Sequence, residues 1–376
     1  MRRHQSIGTK ARRGCNPEGG RIVQVRQHHD LWIWQLETDA GLMRMTMHNL
    51  HEHVELHGAN RILLTDMNGR RAEIRDLQAL DGASKKWLKE VLQMIQYARC
   101  TETVMELTYE AFRIGFSDYI VPMEMKQEDF IKRFFGPEGN QPEHSFIALD
   151  DDKPVGVILG GVKLYEGRQT MRCGTLAVHP DYRGCGISKE LFARHKEEAI
   201  ACGCTQLFLE VIVGNDRAIH FYRKLGYRKI YDLSYYQLKA LSGLAAAHVE
   251  GLEVRSLSHE QFEQEIQDWL HFHINWQNDA DYIRLSENNS FVGAFLDEKL
   301  VGGICVNQSG KISFLYVDPA YRSRGIASAM LGEGSRMLNL TGLSIGFPNN
   351  HGLEGFLLGK GFEKNKFEQY EMYLFL

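Results

Sequence analysis

At 376 residues the chain is too long for one ordinary hydrophobic core and long enough for two or three domains of about 150 residues each. Its 44 basic and 48 acidic residues leave a net charge of −4, which argues against a dedicated nucleic-acid binder. No run reaches the roughly 18 apolar residues of a membrane span, and the seven cysteines, Cys202-x-Cys204 included, show neither a secreted disulfide spacing nor a zinc knuckle. The expectation is a cytoplasmic protein with free thiols, no metal, and no membrane or nucleic-acid partner.

Residues 1–20 carry Arg2, Arg3, Lys10, Arg12 and Arg13 without the apolar stretch of a secretory signal, and read as a disordered basic tail. Residues 21–95 follow as a small β-rich module. Short alternating segments (RIVQV, LWIWQL, LMRMTM, HVEL, RILL, RRAEI) run from Arg21 to Ile74, the last two joined by an Asn68-Gly69 turn. Trp87, Leu88, Val91, Leu92 and Ile95 then mark one amphipathic helix. Six histidines fall between His28 and His57, and His48, His51, His53 and His57 suit zinc or nickel in kind. No cysteine or carboxylate completes a set, so a solvated polar face is expected and a metal site is the alternative.

From residue 96 the pattern changes. Glu102–Phe116 reads as a helix closed by Phe116-Ser117-Asp118-Tyr119, and a second helix lies around Gln127–Phe135. HSFIALD and PVGVILGGVKLY form a hairpin across Asp150–Lys153, and MRCGTLAV a central strand. Thr175–Phe192, TLAVHPDYRGCGISKELF, is then a strand, a turn of small residues and a helix start. Gly184 and Gly186 let the main chain approach a ligand, and the first N–H groups of the helix point outward with its positive dipole end behind them. A pyrophosphate suits that loop, with Arg183 as a permanent charge at its lip. Beyond it the strand LFLEVIV ends at Gly214, and Asn215 or Asp216 caps a helix over Arg217–Leu225.

The device recurs. Phe314–Leu331, FLYVDPAYRSRGIASAML, repeats the same order, and Arg183 and Arg322 are 139 residues apart, as are Gly186 and Gly325. Both stretches resemble the acyl-CoA loop of the GNAT superfamily of N-acetyltransferases, Gln/Arg-x-x-Gly-x-Gly/Ala. The second fits as Arg322-x-x-Gly325-x-Ala327 and the first as Arg183-x-x-Gly186-x-Ser188, with Ser for the last small residue. A further resemblance is Asn215, Ala218, Tyr222, Gly226 and Tyr227, on the pattern Asn-x-x-Ala-x-x-x-Tyr-x-x-x-Gly-Phe/Tyr.

The resemblance implies two tandem GNAT-like folds, α+β with a mixed central sheet flanked by helices, at residues 96–240 and 252–376. It implies acetyl-CoA as cosubstrate, held by Leu176, Ala177, Val178, Arg183, Gly184, Cys185, Gly186, Ile187, Ser188 and Asn215 in the first half. In the second the corresponding residues are Tyr316, Val317, Arg322, Ser323, Arg324, Gly325, Ile326 and Ala327. Tyr222 then protonates the departing thiolate, reference pKa values being within about two units; the alternative is a tyrosine packed under the sheet.

An amine must lose a proton before it attacks a thioester. Glu210, an acid inside an apolar strand, is the candidate base, the alternative being an acid paired structurally with a basic neighbour. Asp118 and Tyr119 are the candidates for contact with the acceptor. In the second half Leu357 stands where Tyr222 does, and no Glu occupies the strand Leu343–Phe347, so this half keeps the loop and loses the proton chemistry. The resulting expectation is an acetyl-CoA-dependent N-acyltransferase acting by direct attack on a small-molecule or protein amine. The alternative is a CoA-binding regulatory or scaffold protein. Nothing in the sequence speaks to oligomeric state.

Overall fold

A computed structural model describes residues 13–15, 20–57, 60–92, 95–241, 244, 249–269 and 271–376. The chain divides into two units, Met1–Gln96 with Asp150–Asp152, and Tyr97–Leu149 with Lys153–Leu376. No helix among the described residues is long and apolar enough to cross a membrane.

The first unit holds β1 (Arg13–Cys15), β2 (Arg21–His28), β3 (Leu31–Thr38), β4 (Gly41–Met47), α1 (Leu50–His53), β5 (Val54–His57), β6 (Arg61–Thr65), β7 (Arg71–Ile74) and α2 (Gly82–Leu92). They form a β2-β3-β4 meander and a second sheet in the order β1-β7-β6-β5. Alternation sends Trp34, Leu36, Met43, Met45, Ile62 and Leu64 into one core. The β6–β7 turn is closed by Asp66, whose carboxylate accepts from the N–H groups of Asn68 and Arg70 at 2.9 and 2.8 Å. The tail expected to be disordered contributes β1, because Arg13–Cys15 pairs in parallel with Ala72–Ile74 and so satisfies its main chain. The rest of that tail lies outside the described residues. Of the histidine run, the His53 ring bonds the Thr65 carbonyl at 2.8 Å and His57 lies 3.3 Å from Glu55, so these rings serve local partners.

The second unit runs β8 (Gln96–Arg99), α3 (Met105–Gly115), α4 (Gln127–Phe134), β9 (Phe146–Asp150), β10 (Lys153–Tyr165), β11 (Arg168–Val178), α5 (Ile187–Ala201), β12 (Gln206–Ile212), α6 (Asp216–Lys224) and β13 (Arg228–Leu238). It continues with β14 (Leu252–Leu257), α7 (His259–Trp269), α8 (Ala280–Leu285), β15 (Asn289–Leu296), β16 (Lys299–Asn307), β17 (Lys311–Val317), α9 (Ile326–Met337), β18 (Leu343–Pro348), α10 (His351–Gly359) and β19 (Glu363–Phe375). Helix α3 starts three residues later than its pattern predicts, because Cys100–Glu102 is a 3₁₀ turn whose Glu102 carboxylate accepts from the Arg99 N–H at 3.1 Å.

Its strands make one sheet of 12, ordered β14-β15-β16-β17-β18-β13-β19-β12-β11-β10-β9-β8. The two halves exchange their last strands. β13, from the first half, pairs antiparallel with β18 of the second, and β19 of the second pairs antiparallel with β12 of the first, opposing Glu371 to Glu210. Parting the halves would break both ladders, so they are one folding unit. Residues 273–278 of the second half also pack on the first half's sheet. Trp276 is buried, stacks on Phe208 with centroids 5.7 Å apart, and donates from Nε1 to the Glu138 carbonyl at 3.0 Å.

Each half opens a wedge in this sheet. β11 pairs with β12 only over Thr170–Arg172, and β17 with β18 only over Lys311–Ile312, after which the strands diverge. Cys173–Val178 and Ser313–Val317 stay paired with β10 and β16 on one side, and only the side facing the wedge lacks a neighbouring strand.

Candidate active site

The two loops are built alike. Gly184 and Gly186 have φ of +85° and +84°, Ser323 and Gly325 +62° and +88°, and α5 and α9 begin immediately after. Left-handed residues alternating in this way turn successive N–H groups into one concave anion site, and the helix dipole adds to it. A Cβ at Gly184 or Gly186 would meet nothing within 4 Å, so it is their backbone conformation that requires glycine. Ile187 and Ile326 are buried anchors that hold the loops down, and offer a ligand only their main chain. The arginines repeat as well: Arg183 Nε donates to the Val178 carbonyl at 3.1 Å, and Arg322 Nε to the Val317 carbonyl at 2.9 Å.

They differ in charge balance. Arg183 grips Asp118 with both terminal nitrogens, at 2.5 and 2.6 Å, and this pairing holds the Asp118 carboxyl below its usual range. The Asp118 carboxylate is thus turned to the Gly184–Gly186 loop, where the arginine fork matches it, while Tyr119 lines a cavity with Glu210 and Tyr222. Among the described residues Arg322 has no carboxylate within ion-pair distance. Arg324 instead reaches the Ala320 carbonyl at 3.4 Å and lies 5.4 Å from the Tyr321 ring.

A cavity of about 590 Å³ fills the first wedge, lined by Tyr119, Leu176, Glu210, Asn215 and Tyr222. Ala177 sits in the core against α3, so only its main chain can serve a ligand. Asn215 caps α6 by accepting from the Ala218 N–H at 3.2 Å and donates to the Tyr119 hydroxyl at 3.4 Å. The buried Tyr222 phenol lies against the Cys173 thiol, and burial pushes its pKa well above 10, so it is a neutral donor.

Glu210 accepts two hydrogen bonds on one oxygen from Arg172, at 2.7 and 3.1 Å, while its other oxygen is buried with no partner. Both readings of Glu210 therefore meet at one residue: it is paired with a base and it lines the cavity. Burial raises its pKa, with Arg172 opposing and Glu138 and Glu371 adding to the rise. Arg172 itself is buried and also meets Glu138 at 2.8 Å. The sequence signal for it was an arginine inside the apolar strand MRCGTLAV. Glu138, Lys311, Tyr235 and Asn278 also line this cavity, and no spacing in the sequence pointed to them.

The second wedge holds a cavity of about 530 Å³ lined by Tyr316, Val317, Arg322, Ser323, Gly325 and Ala327. Asn350 caps α10 by accepting from the Leu353 N–H at 3.0 Å, as Asn215 caps α6. Leu357 is fully buried in the core of this half and brings no hydroxyl to the cavity.

Among the described residues one group of side chains approaches metal-ligand spacing: His144, Glu198 and Cys202 offer atoms within 4.8 Å of one another. Glu198 already takes a hydrogen bond from Arg99 at 2.5 Å and lies 2.9 Å from His144 Nδ1, and these bonds account for the cluster.

The profile of the acetyltransferase (GNAT) family matches residues 101–227 and 252–352, and a domain of unknown function, DUF1854, matches residues 9–91. An acetyltransferase of Pectobacterium atrosepticum is 34% identical over 91 residues, 24% of this chain and 62% of that protein. An N-alpha-acetyltransferase 30 of Schizosaccharomyces pombe is 34% identical over 95 residues, 24% and 63% of the two chains. The chain thus spans about three-fifths of the length of these relatives. A tandem GNAT protein from the clavulanic acid biosynthesis pathway superposes with a TM-score of 0.56 at 17% identity, over 75% of this chain and 98% of that one. A GCN5-related N-acetyltransferase of Sphaerobacter thermophilus gives 0.54 at 13% identity, over 75% and 95%. With the family profile covering both loops and more than half the chain, and the fold shared with a tandem protein, this chain belongs to the acetyltransferase (GNAT) family.

Proposed function

We propose that the chain transfers an acetyl group from acetyl-CoA to an amine by direct attack, and that the first half performs the chemistry. The observation carrying this reading is the convergence of Glu210, Tyr222 and the open edge of β11 on one cavity. Acetyl-CoA supplies the activated thioester. The nest at Gly184 and Gly186, the N-terminus of α5 and Arg183 fit its pyrophosphate. The unpaired edge at Leu176 offers main-chain groups to the pantetheine arm and a donor to the thioester oxygen, a contribution on the order of 3 to 4 kcal/mol per donor in water-excluded sites.

Glu210 takes the proton of the incoming ammonium on its unpartnered oxygen, directly or through a water, while Arg172 fixes the carboxylate plane. As the new N–C bond forms and the C–S bond breaks, Tyr222 delivers its proton to the sulfur, the nitrogen gives up its second proton through water to the phenolate, and Glu210 releases the first to solvent. The second half keeps loop, nest and cavity, has leucine in place of the acid, and so serves as a second CoA site and as a wall of the first cavity.

The test is CoA release from acetyl-CoA with a panel of amines, for wild type, Tyr222→Phe and Arg322→Ala. A fall of about a hundredfold in Tyr222→Phe with a mild effect of Arg322→Ala is expected. Binding of acetyl-CoA without turnover of any amine would overturn the catalytic reading.

A further inference from the structure

The first cavity is closed by residues of the second half, and its charges do not balance. Its lining holds the cations Arg133, Arg172 and Lys311 against two carboxylates, Glu138 and Glu210. Arg172 is taken up by both carboxylates, at 2.8 and 2.7 Å, and Arg133 approaches Glu138 at 3.6 Å. Lys311, at the start of β17, remains. Its ammonium donates only to the Gln277 carbonyl, at a long 3.4 Å, and lies 4.8 Å from the Tyr282 ring. Among the described residues no carboxylate comes within 4.0 Å of it.

We propose that the acceptor is an amine that also carries a carboxylate, and that Lys311 of the second half binds that carboxylate while the amine faces Glu210 of the first. The proposal rests on the reading of this cavity as the acceptor site. A half-buried ammonium with one weak acceptor is incompletely satisfied, and an anion on it would restore the hydrogen bonds lost on burial. Burial holds the Lys311 pKa below its ordinary value, consistent with that shortage. The surplus is a single positive charge, which suits one carboxylate and not a dianionic phosphate. Lys311 and Glu210 line the same cavity of about 590 Å³, so one small molecule can meet both. The strand exchange is what brings a β17 residue to a site built on β11 and β12. This gives the second half a part in acceptor selection in addition to its loop.

The experiment measures calorimetric binding of free amino acids and of their C-terminal amides to the full chain in the presence of CoA, and acetyl transfer to the same pairs. In wild type the carboxylates should be favoured over the amides by about tenfold or more. Lys311→Met should collapse that ratio toward one and Lys311→Arg should keep most of it, thermal melts confirming that both variants fold. Equal binding of acids and amides to wild type, or a ratio unchanged in a folded Lys311→Met, would overturn the carboxylate proposal and leave acetyl transfer standing. Preferred binding of acids without turnover would uphold Lys311 and count against the catalytic reading instead.

Discussion

One oxygen of Glu210 is held by Arg172 at 2.7 and 3.1 Å, and the other points into the buried interior with no partner. A carboxylate held on one oxygen and unpartnered on the other is oriented without being consumed. Arg172 opposes the rise in pKa that burial imposes on the acid. Glu210→Gln keeps the shape and removes the base, so turnover should fall about 10²- to 10⁴-fold with little change in acetyl-CoA affinity. The pH profile of kcat/KM in wild type should rise through a group above the ordinary carboxylate range, since burial raises Glu210. A Glu210→Gln variant with wild-type turnover would assign the base elsewhere.

Asp118 competes with phosphate for Arg183, which it holds at 2.5 and 2.6 Å at the lip of the loop. Exposed pairs of this kind contribute little to stability, on the order of 1 kcal/mol or less. Asp118→Ala should therefore leave the melting temperature near wild type and lower the KM for acetyl-CoA a few-fold, while Arg183→Ala raises it. A rise in KM in Asp118→Ala would mean that the acid positions Arg183 and does not compete for its charge.

The two cavities predict two CoA molecules per chain. Titration calorimetry of wild type should give a stoichiometry near two, and Arg322→Ala should lose or weaken one class of site. A stoichiometry of one in both proteins would show that the second loop is a relic.

His273 pins the halves together. Its Nε2 lies 2.6 Å from Glu371 and its Nδ1 2.5 Å from Glu166, and the ring stacks on Tyr231 with centroids 3.8 Å apart. Burial works against the charged ring, but the two carboxylates outweigh it and hold its pKa up to about 9. A pKa raised above the unfolded value of about 6.5 contributes stability that is fully present below that pH and lost as pH rises through about 9. His273→Ala also strands the buried Glu371, so a loss of roughly 3 kcal/mol is expected near pH 7. The gap in melting temperature between wild type and variant should narrow from pH 7 to pH 9.5. A gap that stays constant would show that the ring acts by packing alone.

By itself the sequence determined what local chemistry can write: glycines where φ must be positive, the cap Asn215, the strand periods, and the recurrence of one loop 139 residues later. Such features depend on residues a few positions apart, so they survive reading in one dimension. The presence of Tyr222 in one half and Leu357 in the other was equally legible, because the repeat supplied its own reference. Tertiary structure decided the rest. Antiparallel pairing partners carry no label in sequence, so nothing marked β13 and β19 as exchanged. The partners of Asp118 and Arg172 lie 65 and 38 residues away, and their roles follow from which opposite charge the fold brings within reach. No spacing set Lys311 apart, and only the joined sheet places it with Glu138 and Glu210 in the lining of one cavity.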